Sequence, residues 1–236
     1  MKSTRRTMKT RHLAALLAAL LLTLGAFPAA SATEAQGKAA SWDLEKATPL
    51  PYVVAKIDKD YRAAIKRTKW MLRILPVSRD AKGNLVQAAS DQASKEQLAA
   101  TVIAAARYGA ETTGGDFVHV ILDSQAGGSF GSCQLATAQY APDGRGVSGS
   151  QDWTWQMVSA AENGLSEQEL HIQRLWGELR DSFQKGGVTD EPALKAAIGK
   201  RLGLPAGQIA MPFRMLEDVP MSLIERVRAV PPQENN

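Results

Sequence analysis

The chain has 236 residues, of which 28 are basic and 24 acidic, and it contains one cysteine. A single cysteine excludes an intramolecular disulfide and a cysteine-rich metal site. The hydrophobic share of 44% is ordinary for a globular protein.

Residues 1–32 have the order of a secretory signal peptide. Five basic residues and no acidic residue accompany an apolar run over 13–27 that is rich in Leu and Ala. Pro28 ends this run, and Ala30 and Ala32 place small residues at the positions that a signal peptidase reads. The run is shorter than the roughly 20 residues of a membrane-spanning helix, so a retained anchor is the weaker alternative. The sequence predicts cleavage after Ala32.

This signal predicts a periplasmic or secreted protein. Arg5 and Arg6 are consistent with export by the twin-arginine route, but the residues on either side match that motif only in part. The Leu-rich core favours the general secretory route. Without the five basic residues of the signal, 23 basic and 24 acidic residues remain. This balance gives no support for nucleic acid as a partner, or for stable membrane insertion after cleavage.

Composition divides the rest of the chain into four parts. Residues 33–51 are small and polar and predict a flexible leader, and residues 231–236 predict a disordered tail. Between them, residues 52–150 predict an α/β domain, and residues 151–230 predict a C-terminal helical segment.

The first strand is predicted over 52–58, with a helix over 54–67 as the alternative because Ile57, Tyr61 and Ile65 fall on one helical face. Further strands are predicted over 70–77, 117–122 and 133–140. The last two strands and the Gly-rich connection between them predict a hairpin with a long loop. The four basic residues near the second strand are predicted to form a solvated face: Lys66, Arg67, Lys69 and Arg73.

Two helices begin at capping boxes, one at Ser94 and one at Ser166. We expect the first helix to end at Gly109, because glycine adopts the left-handed conformation of a helix end. A third helix contains Pro192 in its first turn and ends near Gly203. The fold class is therefore α/β (α+β), with a small, mostly antiparallel sheet packed by a capped helix and followed by C-terminal helices.

Residues 52–149 resemble a bacterial domain-of-unknown-function family. The resemblance is carried by Lys66-Arg67 before the strand over 70–75, the capped helix over 94–107, the strand over 117–122, the Gly-rich turn over 127–131 and the strand over 136–142. The chain departs from the family pattern at 123–125, where Asp-Ser-Gln replaces an expected Pro-Gly. The resemblance implies a small α/β sandwich, and it implies no enzymatic activity or ligand.

A cysteine–histidine pair is the sharpest catalytic hypothesis. We expect Leu122 to pair with Ser132 across the hairpin. That register places Cys133 and His119 on one face of the sheet, and Asp123 at the edge of the loop could orient the imidazole. The favoured alternative is a buried Cys133 that acts only as a small hydrophobic side chain.

Two other features could bind a ligand. The backbone at Gly127 and Gly128 could hold an anion or a peptide, with a flexible loop as the alternative. In an extended segment, Trp153 and Trp155 point the same way, as a stacking platform for a sugar ring would, with core packing as the alternative.

The sequence predicts neither a metal site nor a cofactor, because His119 and His171 lack the spacing of metal ligands. It favours an exported binding or interaction module without catalytic activity, whose partner is an envelope protein or a glycan. One alternative is a cysteine-dependent hydrolase that uses Cys133 and His119. The other is a cell-wall glycan binder that uses Trp153 and Trp155.

Overall fold

The computed structural model describes residues 41–125 and 132–234. The strands in these residues are β1 (Tyr52–Arg62), β2 (Arg67–Arg79), β3 (Leu85–Gln87), β4 (Phe117–Asp123), β5 (Gln134–Tyr140), β6 (Trp155–Ala161), β7 (Gln184–Lys185), β8 (Val188–Thr189) and β9 (Leu216–Asp218). Seven of them form one sheet in the order β1-β2-β4-β5-β6-β9, with β3 paired to β2. Only β2 and β4 run parallel in this sheet. The predicted α/β class with a mostly antiparallel sheet is confirmed.

The helices of the described chain are α1 (Lys95–Thr113), α2 (Glu167–Leu179), α3 (Glu191–Leu202) and α4 (Met221–Ile224). α1 packs against β4, β5 and β6. Because side chains alternate along a strand, Val118, Val120 and Leu122 share one face, and all three are fully buried in the core with α1. None of these helices is long and apolar enough to cross a bilayer.

The first predicted strand is confirmed, and the helical alternative over 54–67 is wrong. Residues 52–62 form β1, which pairs antiparallel with β2 in a long hairpin. Tyr52 is buried at one end of β1, whereas the residues from Lys56 onward are exposed. Ile57 and Tyr61, which suggested a helical face, are therefore exposed on an edge strand.

The expected end of the first helix at Gly109 is wrong. α1 continues to Thr113, and Gly114 adopts the left-handed conformation (φ 60°) and donates its N–H to the Ala110 carbonyl. Gly109 lies inside the helix, where a Cβ atom would stand 2.6 Å from Leu72 Cδ1. The glycine at 109 therefore lets the helix approach the sheet.

The predicted hairpin of β4 and β5 is confirmed, but its expected register is wrong. Leu122 pairs with Ala136 rather than with Ser132. The backbone of Cys133 instead pairs with Ser124, whose N–H donates to the Cys133 carbonyl at 2.9 Å. The observed partner of Leu122 lies four positions beyond the expected one, and the bulge between Leu122 and Asp123 accounts for only one of these positions.

Residues 151–230, predicted as a helical segment, contribute strands as well as helices. β6 and β9 join the sheet built by residues 52–140, so the predicted boundary at residue 150 falls within one sheet. α2 and α3 enclose a second, smaller core formed by Ile172, Trp176, Leu194, Ile198 and Ile209.

A buried arginine joins the start of β2 to the loop that follows β5. The Arg67 side chain, 7% exposed, forms an ion pair with Asp143 at 2.6 Å. It also donates to the carbonyls of Asp116 and Gly146 at 2.8 and 2.7 Å. The expectation of a solvated basic face is therefore wrong for this residue, because its charge is compensated within the fold.

Candidate functional site

A cleft of about 540 Å³ lies between β3 and α2. This volume is within the range of small-ligand sites, about 300–1,000 Å³. One wall comes from the end of β2 and the β3 segment and the other from α2, and Gln125 also lines the cleft. The lining residues are Ser78, Val86, Gln87, Ala88, Ala89, Gln125, Glu167, Leu170, His171, Gln173 and Arg174.

A capping box fixes the start of the helical wall. Ser166 accepts a hydrogen bond from the Glu169 N–H at 3.3 Å, and Glu169 accepts one from the Ser166 N–H at 2.9 Å. The Glu169 carboxylate also accepts from Arg214 at 2.8 and 3.0 Å. These bonds lower the pKa of Glu169 against the opposing effect of its burial. The first turn of α2 is thereby held to both the preceding loop and the C-terminal segment.

Side-chain amides connect the two walls of the cleft. The Gln87 amide donates to the Ser124 carbonyl. The Ser124 hydroxyl donates to the Gln173 side-chain oxygen at 2.9 Å and accepts from the Cys133 N–H at 2.9 Å. Gln173 and Ser124 are both fully buried, so these bonds hold the base of the cleft in a defined geometry.

Three ionisable side chains line the helical wall: Glu167, His171 and Arg174. Residues at i, i+4 and i+7 share one face of a helix, which brings the three into one row. In the described part of the chain, none of the three forms a hydrogen bond or ion pair with another side chain. The row can therefore offer its charges to a bound molecule. The sequence shows the helical spacing, but it gives no sign that β3 lies opposite.

Cys133 and His119, predicted as a catalytic pair, are not brought together. His119 pairs with Gln139, whereas Cys133 lies beside Ser124, five residues further along. At about 3.3 Å per residue, this separates the two positions by about 17 Å. Cys133 is buried, and its burial raises the pKa of the thiol. A thiolate nucleophile needs the opposite shift.

His119 and Asp123 each have a different partner from the one expected. The His119 Nε2 atom lies 3.1 Å from the Thr137 hydroxyl oxygen. Asp123 forms an ion pair with Arg73 at 2.6 Å. Burial, with Lys69 and Arg73 nearby, lowers the pKa of His119 to about 4. The imidazole is therefore neutral at pH 7, and the carboxylate that was expected to orient it binds a guanidinium.

Trp153 and Trp155 contact different groups. Trp153 meets the Phe117 ring edge-on, with centroids 6.0 Å apart. Trp155 is buried against Tyr140, with centroids 4.3 Å apart, and the Arg107 guanidinium lies 5.5 Å from its ring centre. The two indoles do not form a shared platform, because each packs within the fold.

Gly127 and Gly128 lie outside the described residues. Within residues 41–125 and 132–234, no group of three or more His, Cys, Asp or Glu side chains is arranged to hold a metal ion. The cleft beside α2 is the candidate site. Of its lining residues, the sequence singles out only His171, as a potential metal ligand, and Gln125, within the departure from the family pattern at 123–125.

Comparison with known proteins places the chain in a family. The sequence model of a domain of unknown function, DUF4875, matches residues 76–214. No curated protein matches the chain. A DUF487 family protein from Desulfovibrio piger, known from a crystal structure, is 45% identical in sequence to this chain. The match covers 75% of this chain and 99% of the Desulfovibrio piger chain, and the two structures superpose with a TM-score of 0.71. The chain therefore belongs to the DUF4875 family, whose function is unknown.

Proposed function

We propose that the protein is an exported, non-catalytic binding protein that holds a small polar ligand between β3 and α2. The observation that carries this proposal is the cleft of about 540 Å³ with a row of unpaired ionisable groups on one wall. Apolar side chains such as Val86 and Leu170 supply contact area, while the polar groups supply orientation.

Export is supported by the charged, apolar and small-residue order of residues 1–32. A binding role without catalysis is supported by the chemistry of the two residues predicted as a catalytic pair. Cys133 has a buried thiol, and its pKa is raised. His119 is held on the sheet by Thr137, away from that thiol. A binding role requires only the fixed polar walls that α2 and β3 provide.

The proposal is tested by titrating the purified protein with alanine, trialanine, N-acetylglucosamine and citrate while following backbone amide resonances. We expect at least one of these compounds to give saturable shifts at Gln87 and Gln173. Ala89→Trp places a large ring in the cleft from an exposed position and should abolish the shifts.

Ala81→Trp is the matched control, because Ala81 is exposed in the turn before β3 and does not line the cleft. Its titrations should equal those of the unmodified protein. The absence of saturable shifts with all four compounds, or shifts that survive Ala89→Trp, would overturn the proposal.

A further inference from the structure

The helical wall of the cleft has an acidic end and a basic end. Glu167 lies in the first turn of α2, and Arg174 lies seven residues later on the same face. With a rise of 1.5 Å per residue, their Cα atoms are about 10 Å apart along the helix axis. Both side chains lean toward the N-terminus of the helix, so their charged groups stay separated in the same direction.

We infer that the cleft binds a zwitterionic peptide of two or three residues, with its ammonium group at Glu167 and its carboxylate at Arg174. This inference rests on the proposed binding function and names its ligand class. One carboxylate and one guanidinium balance each other, so the wall fits a ligand with separated opposite charges better than a simple anion or cation.

The dimensions of the cleft favour a short peptide over a single amino acid. Three extended residues span about 10 Å, which matches the separation of the two charged positions. A free amino acid carries its two charges on one residue and cannot reach both ends. The cavity of about 540 Å³ is also larger than one residue requires.

The groups between the two charged ends suit a peptide backbone. Gln87 and Gln125 line the cleft, and a side-chain amide can donate to a carbonyl and accept from an N–H. Ala88 and Ala89 on the opposite wall leave room for small side chains. A peptide with free termini would therefore meet polar side chains between its two charged ends.

The inference is tested by calorimetric titration of the purified protein with trialanine, N-acetyl-trialanine and trialanine amide. Each cap removes one terminal charge. We expect each cap to weaken binding about fivefold, the scale of an accessible ion pair. Glu167→Gln should weaken binding of trialanine and leave binding of the N-acetylated peptide unchanged. Arg174→Gln should weaken binding of trialanine and leave binding of trialanine amide unchanged.

Glu111→Gln and Arg228→Gln are the matched controls, because both residues are exposed and lie outside the cleft. Neither should change the affinity for trialanine. Equal affinities for free and capped peptides, or binding of citrate or N-acetylglucosamine instead of trialanine, would overturn the ligand class and leave the binding proposal standing. Loss of all binding at the cleft would overturn both.

Discussion

His119 shows how burial changes one ionisable group. It lies on the sheet face opposite α1, beside Thr137 and near the cations Lys69 and Arg73. Its pKa falls from 6.5 to about 4, because burial and the two positive charges disfavour the imidazolium form. Between pH 4 and pH 6.5, the unfolded chain therefore binds more protons than the folded chain. The neutral imidazole of His119 therefore stabilises the folded state fully above pH 6.5, and this stabilisation is lost as the pH falls toward 4.

We expect His119→Gln to remove part of the acid sensitivity of the fold. Between pH 7 and pH 4.5, the free energy of unfolding of the unmodified protein should fall by about 1–2 kcal/mol more than that of the variant, after allowance for partial solvent exposure. Urea denaturation at pH 7, 5.5 and 4.5 measures the difference. Parallel pH profiles of the two proteins would show that His119 does not titrate in this way.

Arg67 shows what a local sequence cannot predict about one residue. Its neighbours Lys66 and Lys69 suggest a solvated basic face, yet the side chain is buried. The reason is Asp143, 76 positions later, which accepts from both terminal nitrogens of the guanidinium. Only the fold brings these two charges together, so no pattern near residue 67 could indicate the pair.

At the scale of elements, the start of α2 combines a local motif with a distant contact. Ser166 and Glu169 form the capping box, and Glu169 also binds Arg214. Ser166→Ala should lower the free energy of unfolding by about 1 kcal/mol through loss of the cap. Glu169→Ala should cost about 2 kcal/mol, because it removes a capping bond and the charge-assisted bonds to Arg214 together.

Gln168→Ala is the control for this pair of variants, since Gln168 is exposed and lies between the two capping residues. It should leave the free energy of unfolding unchanged. Urea denaturation at pH 7 gives all three values. If Glu169→Ala cost no more than Ser166→Ala, the bonds to Arg214 would contribute nothing to stability.

The elements that were predicted correctly depend on local chemistry. Capping boxes at Ser94 and Ser166 and the glycine at 203 determine where α1 and α2 begin and where α3 ends. The predictions are wrong where the end of a helix or the register of two strands depends on residues distant in the sequence. Gly109 continues α1 because it lies against Leu72. The sequence indicates neither the residues that pair between β4 and β5 nor the bulge after Leu122.

The candidate site was missed for a related reason. Glu167, His171 and Arg174 stand at helical spacing in the sequence, but the same spacing describes any solvated helix face. The row becomes a site only because β3 lies opposite, and β3 is three residues long. A strand of that length carries too little periodicity to be predicted.

At the scale of the whole molecule, the charge of the protein depends on whether residues 1–32 are removed. The complete chain has a net charge of +4, and five of its basic residues lie in the predicted signal. After cleavage the chain is close to neutral. A nearly neutral protein attracts neither nucleic acid nor an anionic membrane over long distances, so recognition would depend on local charges such as those in the cleft.

We expect a Gram-negative host that expresses the full chain to deliver it to the periplasm with Thr33 as its first residue. The physical reason is the order of residues 1–32, since a basic start and an apolar run favour translocation and the small residues before Thr33 permit cleavage. Cell fractionation followed by N-terminal sequencing of the purified protein measures both outcomes together.

Two variants separate the possible routes and test the dependence on the apolar run. Arg5→Lys combined with Arg6→Lys should leave export unchanged, because the general secretory route requires positive charge and not an arginine pair. Leu21→Arg should retain the uncleaved chain in the cytoplasm, because a charge in the apolar run opposes entry into the membrane. A cytoplasmic protein that still begins at Met1 in the unmodified chain would overturn export. Loss of export in the double lysine variant would assign the chain to the twin-arginine route.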